Sequence, residues 1–213
     1  MTTIDVIIPA KNEEQRIQQS IAQFQNPIFN NVIVINDTST DKTNTLAKKA
    51  GATVVDFPES TIPYHQAQLY HFGKILSKAD YILIVDVDEV WDRSFLTNAK
   101  TIVEDKIRNY PIPIFGYKFP RNNYTVRGEP ITTWPDLQIR LLMRDIVEWK
   151  DEIHPVPYHD KRDEPIDNIS CLELPYSIIH LTRNPNVTRP WWKKTAKEIK
   201  VINYLEKKEM RTL

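Results

Sequence analysis

Tyr81-Ile82-Leu83-Ile84-Val85-Asp86-Val87-Asp88-Glu89-Val90-Trp91 is a run of apolar and β-branched residues that ends abruptly in carboxylates. Such a run predicts a buried β-strand over Tyr81–Val85. Side chains alternate along a strand, so Asp86 and Asp88 are expected on one side, with Val87 turned into the packing. Two neighbouring carboxylates repel each other and lose hydration, an arrangement tolerated where a cation lies between them. A hard divalent ion, Mg²⁺ or Mn²⁺, takes one or two carboxylates and completes its shell with water and phosphate oxygens. The strand ends of an open α/β sheet are also where such folds bind ligands. Asp86 and Asp88 are therefore candidate ligands of a metal–phosphate site. The competing reading is a solvated turn that caps the following helix.

Working outward, residues 1–110 alternate between strand and helix patterns. Strands are expected at Ile4–Ile8, Val32–Ile35 and Thr53–Asp56, in addition to Tyr81–Val85. Helices are expected near 13–25, from a capping box at Thr38–Asp41 through Lys49–Ala50, near 64–78 and near 93–108. This β-α-β-α order implies a mostly parallel central sheet with right-handed crossovers, an α/β fold. The second half changes character, because eleven of the fifteen prolines lie beyond residue 110. Short strands are expected near 112–119, 137–143 and 176–182, in an irregular, Pro-rich setting. A last amphipathic helix, near 188–209, carries Trp192, Ala196, Ile199, Ile202 and Leu205 on one stripe. The whole chain, 1–213, reads as one domain: a nucleotide-type half over 1–110 and an acceptor half over 111–213.

Composition narrows the class. Lys plus Arg and Asp plus Glu both total 28, so there is no basic excess and no strong nucleic-acid signature. Cys171 is the single cysteine, which leaves no disulfide framework. No apolar run approaches membrane-spanning length, and the first residues lead straight into a strand rather than a secretion signal. The expectation is a cytoplasmic protein. Trp191-Trp192-Lys193-Lys194 is compatible with peripheral contact at a membrane surface, although packing onto the chain's own domain is the commoner use of such a stripe. The four glycines fit neither G-x-G-x-x-G nor G-x-x-x-x-G-K-[ST], which disfavours dinucleotide-binding and P-loop enzymes.

Three segments then combine. Val6-Ile7-Ile8-Pro9-Ala10-Lys11-Asn12-Glu13-Glu14 resembles the first strand of family 2 glycosyltransferases of the GT-A fold, with its P-x-x-N-E pattern. Val32 through Thr43, with Asn36-Asp37-Thr38-Ser39-Thr40-Asp41, resembles that family's second strand, although Asn36 stands where the family has its first acid. Asp86-Val87-Asp88 falls at the D-x-D position. The segment from Trp134 to Arg144, followed by Glu152-Ile153-His154 and Ile178-Ile179-His180, is similar to the lipopolysaccharide-core glucosyltransferase branch, with Glu152 and His154 in reversed order. The resemblance implies a GT-A fold that binds a nucleotide-sugar donor, with UDP the favoured nucleotide, and Mn²⁺ or Mg²⁺. It implies donor contacts from Pro9, Ala10, Asn12, Glu13, Asn36, Asp37, Asp86 and Val87, and metal ligation by Asp86, Asp88 and His180. Arg183, Arg189, Lys193 and Lys194 are candidates for closing over the diphosphate.

The chemistry expected is transfer of a sugar to a hydroxyl acceptor, whether glycan, lipid-linked or other. The metal would stabilise the leaving diphosphate as a Lewis acid. Inversion needs one carboxylate within reach of the acceptor hydroxyl. Asp136, Asp151 and Glu152 are the candidates, with Asp136 favoured; its alternative role is a simple ion pair with Arg140. Asp41 reads as a helix-capping residue, and His65, His71 and His159 carry no assignment. Two rivals remain open. A haloacid-dehalogenase-type phosphatase would use Asp86 of Asp86-Val87-Asp88-Glu89-Val90 as nucleophile. A non-catalytic carbohydrate- or nucleotide-binding module would keep the fold without the reaction.

Overall fold

The computed structural model describes residues 2–58, 65–124, 130, 136–150 and 155–181. Strands β1 (Ile4–Ala10), β2 (Asn31–Asn36), β3 (Thr53–Asp56) and β4 (Tyr81–Ile84) pair in parallel in the order β3-β2-β1-β4. Helices α1 (Ile17–Ala22), α2 (Thr43–Lys49) and α3 (Gln66–Leu76) make the crossovers. After a short strand β5 (Glu89–Trp91) comes the long helix α4 (Arg93–Asn109), whose Asp92 side chain accepts a bond from the Phe95 N–H and closes its first turn.

Alternation on the central strands builds two cores. Ile4, Val6 and Ile8 of β1, with Tyr81 and Leu83 of β4, pack with Ile17, Ile21, Phe95, Ala99 and Val103 from α1 and α4. Ile7, Ile33, Ile35, Ile82 and Ile84 face the opposite way and pack with Ala67, Leu69 and Tyr70 of α3. This is the period-2 logic of a sheet covered on both faces. At one point α3 presses directly on the sheet. A β-carbon added at Gly73 would lie 2.4 Å from Ile7 Cγ2, so only glycine permits that approach.

The later half joins the same sheet. Strands β6 (Gly116–Tyr124) and β7 (Asp136–Met143) are antiparallel, and β7 lies against β4. A three-stranded sheet follows from β8 (Val147–Trp149), β9 (Pro157–His159) and β10 (Glu164–Pro165). A single turn, α5 (Ile166–Ile169), leads to β11 (Cys171–Glu173), which pairs with β6. Finally β12 (Ile178–Leu181) inserts between β6, in parallel, and β5, antiparallel. Strands from both expected halves therefore share the main sheet.

Several expected elements shift. The first helix is shorter than 13–25, because residues 11–14 are used to pin a loop. The capping box at Thr38–Asp41 does not start α2. Lys42 is the N-cap residue, and Asp41 Oδ1 accepts the Thr43 N–H at 2.9 Å and the Thr43 hydroxyl. The strand expected at 112–119 runs from 116 to 124 instead. The helix expected near 188–209 lies outside the described residues. Among the described residues no helix is long and apolar enough to cross a membrane.

Candidate active site

The ladder of β4 ends at Ile84, and Val85 donates its N–H to Ile7 O. Asp86 through Glu89 then form a turn closed twice. The Glu89 N–H donates to Asp86 O at 3.0 Å, and the Asp86 N–H donates to the Glu89 carboxylate at 3.2 Å. The two aspartates are therefore held by a turn rather than by strand alternation, and they meet different partners. Val87 is buried, as expected.

Asp86 faces two guanidinium groups. Arg140 Nη2 donates to Asp86 Oδ2 at 2.6 Å and also to Glu89, and Arg121 Nη1 stands 3.8 Å from Asp86 and 3.7 Å from Glu89. Glu89 is fully buried. Burial alone would raise the Asp86 pKa, but Arg140, His180 and Arg121 together hold it below the usual carboxylate range. Burial lifts Glu89 above its ordinary value, against the pull of Arg140. The Tyr70 hydroxyl hydrogen-bonds Arg140 from α3 and accepts a bond from Gln66 at 2.6 Å. A β-bulge between Tyr117 and Lys118 leaves Arg140 without a register partner on β6 and re-aims it into this cluster.

Asp88 meets β12. His180 Nε2 lies 3.3 Å from Asp88 Oδ2, and His180 Nδ1 lies 2.9 Å from Asn123 Oδ1. Burial, reinforced by Arg121, pulls the His180 pKa down to about 4, so the ring is neutral near pH 7. A carboxylate oxygen and a neutral imidazole nitrogen at this spacing are a donor pair suited to Mn²⁺ or Mg²⁺. Asp86, expected as a metal ligand together with Asp88, accepts from Arg140 instead. Among the described residues no three acid, histidine or cysteine side chains converge as a metal cage, so water and phosphate would supply most of the shell.

Asp136 corrects another expectation. Its ion pair is with Arg121, not Arg140, and the two residues are register partners across β6 and β7. Its oxygens accept from Arg121 Nε at 3.0 Å, Asn123 Nδ2 at 3.2 Å and Gln138 Nε2 at 2.7 Å. Burial raises its pKa, but these donors outweigh that and leave it lowered. Asp151, Glu152 and His154 lie outside the described residues, as do Arg183, Arg189, Lys193 and Lys194.

A second cluster of polar side chains lies at the ends of β1 and β2. Asp37 is bound by Lys11 Nζ at 3.1 Å and by His65 Nε2 at 3.0 Å, and the His65 ring stacks on Phe57. Asn36 turns away and donates to Asp56 at 2.6 Å. The loop around Asn12, with φ +54°, interlocks with the 38–43 loop. The Asn12 N–H donates to the Ser39 hydroxyl, Asn12 Oδ1 accepts the Thr40 N–H, and the Glu13 N–H donates to the Thr43 hydroxyl. Pro9, Ala10 and Glu13 are all at this end of β1, with Ala10 O accepting the Asp37 N–H.

Arg121, Asn123, Glu89 and Tyr70 carry much of this geometry and were not signalled by any motif. Parity offered a partial signal, since Asp136, Gln138 and Arg140 fall at alternate positions of one strand.

Comparison with known proteins agrees with the geometry. Residues 5–154 match the family described as glycosyl transferase family 2. A 4,4'-diaponeurosporenoate glycosyltransferase from Staphylococcus aureus is 38% identical over 114 residues, which is 51% of this chain and 28% of that protein. The chain thus spans under a third of that relative. Glucosyl-3-phosphoglycerate synthase from Mycobacterium tuberculosis, solved with Mn²⁺, UDP and glucosyl-3-phosphoglycerate, superposes with a TM-score of 0.56 at 17% identity, covering 96% of this chain and 78% of that one. Staphylococcus aureus TarS superposes with a TM-score of 0.55 at 15% identity, covering 84% of this chain and 37% of that one. These likenesses identify the curled, largely parallel sheet as the GT-A fold. The phosphatase rival falls away, and with a family match over most of its length the chain belongs to glycosyl transferase family 2.

Proposed function

We propose that this chain is the donor-binding, catalytic part of a metal-dependent glycosyltransferase that moves a sugar from a nucleotide sugar, UDP-linked, to a hydroxyl acceptor with inversion. The observation that carries the reading is the pairing of Asp88 Oδ2 with His180 Nε2 at 3.3 Å beside the Asp86–Glu89 turn, at the strand ends that also hold Asp37. The relatives support it: one is named a glycosyltransferase, and the synthase of the same fold was solved with Mn²⁺ and UDP.

In this reading Asp37, with Glu13 and Asn12 beside it, offers acceptors to the base and ribose. Asp86, oriented by Arg140, faces the ribose and the donor sugar. Asp88 and His180 hold Mn²⁺ or Mg²⁺, which supplies Lewis-acid stabilisation of the diphosphate leaving group. Arg121 adds fixed positive charge to the same region. The acceptor hydroxyl loses its proton to a carboxylate. Asp136 is ionised but accepts from Arg121, Asn123 and Gln138, which lowers its basicity; it serves better to order Arg121 and Asn123, and the proton goes to Asp151 or Glu152. The acceptor is a glycan, lipid-linked or other hydroxyl compound.

The test is slow donor hydrolysis, in which water replaces the acceptor. Incubation with UDP-, GDP- and ADP-linked hexoses and Mn²⁺ should release UDP alone, and Asp86→Asn, which keeps an oxygen to accept from Arg140, should stop the release in a protein that stays folded by circular dichroism. Release from no donor, with no nucleotide binding by calorimetry, would overturn the reading.

A further inference from the structure

We propose that Asn123 is a positioning residue: it fixes His180 in the tautomer whose Nε2 lone pair faces Asp88, and so readies that nitrogen to take a divalent cation. The inference rests on the metal–diphosphate reading of this site and extends it to a residue that touches neither metal nor substrate.

Asn123 and His180 are register partners in the parallel ladder of β6 and β12, so their side chains stand on the same face. Asn123 is 7% exposed, which leaves little water to replace a lost partner. Its amide has a polarity that the surroundings dictate. On one side Asn123 Nδ2 donates to Asp136 Oδ2 at 3.2 Å, and an ionised carboxylate only accepts. Rotating the amide by half a turn would set its oxygen against that carboxylate, acceptor against acceptor. Asn123 Oδ1 is thereby committed to the other side, 2.9 Å from His180 Nδ1. An amide oxygen there requires Nδ1 to carry the proton. A histidine ligates a metal as the neutral ring, and with Nδ1 protonated its proton-free nitrogen is Nε2, which lies 3.3 Å from Asp88 Oδ2.

A carboxylate oxygen and an imidazole lone pair at that distance are well disposed as two ligands of one cation. The relay therefore runs from Arg121, through Asp136 and Asn123, to His180. It gives Asp136 a purpose that does not need it to move a proton. Outer partners that orient a ligating histidine typically cost 10–100-fold in metal affinity when removed.

The tautomer can be read without metal. Two-bond ¹H–¹⁵N correlation of the metal-free, ¹⁵N-labelled protein near pH 7.5 resolves the five histidines, with His180→Gln identifying the signal. The native ring should show a protonated Nδ1 and a proton-free Nε2. Asn123→Leu should move the proton to Nε2. In parallel, electron paramagnetic titration of Mn²⁺ in the presence of UDP should show about 10–100-fold weaker metal binding in Asn123→Leu. An Nε2-protonated or doubly protonated His180 in the native protein overturns the proposal, whether or not the variant folds. Unchanged tautomer or unchanged Mn²⁺ affinity in a folded Asn123→Leu also overturns it. If the native tautomer is as stated but the native protein with UDP takes up no Mn²⁺, the function reading fails, and the role toward metal fails with it.

Discussion

Arg140→Met removes one cation from a buried site and leaves its acids behind. Arg140 is 5% exposed, and it donates to both Asp86 and the fully buried Glu89. Breaking a buried ion pair from one side typically costs about 3–5 kcal/mol, because a charge is left without its partner. For a chain of this size each kcal/mol moves the melting temperature by about 2–4 °C, so the variant should melt roughly 6–20 °C lower. Arg121, 3.7 Å from Glu89, compensates in part and places the expectation toward the lower end. The Glu89 pKa is raised in the native protein, and loss of Arg140 raises it further. Glu89 in the variant can therefore escape the penalty by binding a proton, so the gap to native should narrow as the pH falls from 8 toward 5.5. Arg140→Met/Glu89→Gln removes the orphaned charge while keeping an acceptor for the Asp86 N–H, and should recover more than half of the loss. Differential scanning calorimetry of the three proteins at both pH values decides the matter. A single variant that melts within 2 °C of native at pH 8, or a double variant no better than the single, would refute the view that this cluster is a charge-balanced unit.

Other outcomes follow from the same geometry. Gly73→Ala, which would stabilise an ordinary exposed helix, should here destabilise by about 1–3 kcal/mol because the new methyl meets Ile7; a gain in urea denaturation would contradict the close approach of α3. His180 has its pKa lowered from 6.5 to about 4, so its contribution is present above 6.5 and is lost as pH falls through that window. On the order of 3 kcal/mol of metal-free stability should disappear between those values, and His180→Gln should flatten that part of the curve. Asp37→Ala leaves Lys11 and His65 without their shared carboxylate and should weaken UDP binding about 10–100-fold, the worth of charge-assisted hydrogen bonds. Mn²⁺ affinity measured with pyrophosphate in place of UDP should stay unchanged in that variant.

Much of this was legible in the residues. The apolar runs of β1, β2 and β4 are buried on a sheet, β3 is its half-exposed edge, and their boundaries agree with the pattern within a residue or two. Hydrophobic alternation is a local signal, and here local preference and tertiary packing agree. The carboxylates at Asp86, Asp88 and Asp37 stand at strand ends because a parallel sheet exposes its carboxyl edge there. What could not be read is the pairing of charges. Arg140 lies four residues from Asp136 on β7, yet the bulge turns it to Asp86, and Arg121 takes Asp136 instead. A bulge adds one residue to one strand and leaves little mark in a periodic pattern. Glu89 looked like one more turn acid, yet with β12 paired beside β5 and Arg140 and Arg121 against it, it is buried. Asn123 gained its role from a partner 57 residues away.

The most direct measurement is calorimetric titration of UDP into the native chain and into Asp88→Ala, each with and without Mn²⁺. The account predicts that UDP binds the native chain at least tenfold more tightly with Mn²⁺ than without it, on the order of 1.4 kcal/mol or more, and that the metal adds nothing in Asp88→Ala. UDP affinity independent of Mn²⁺ in the native chain, or an undiminished metal effect in Asp88→Ala, would contradict a metal–diphosphate site built on Asp88 and His180.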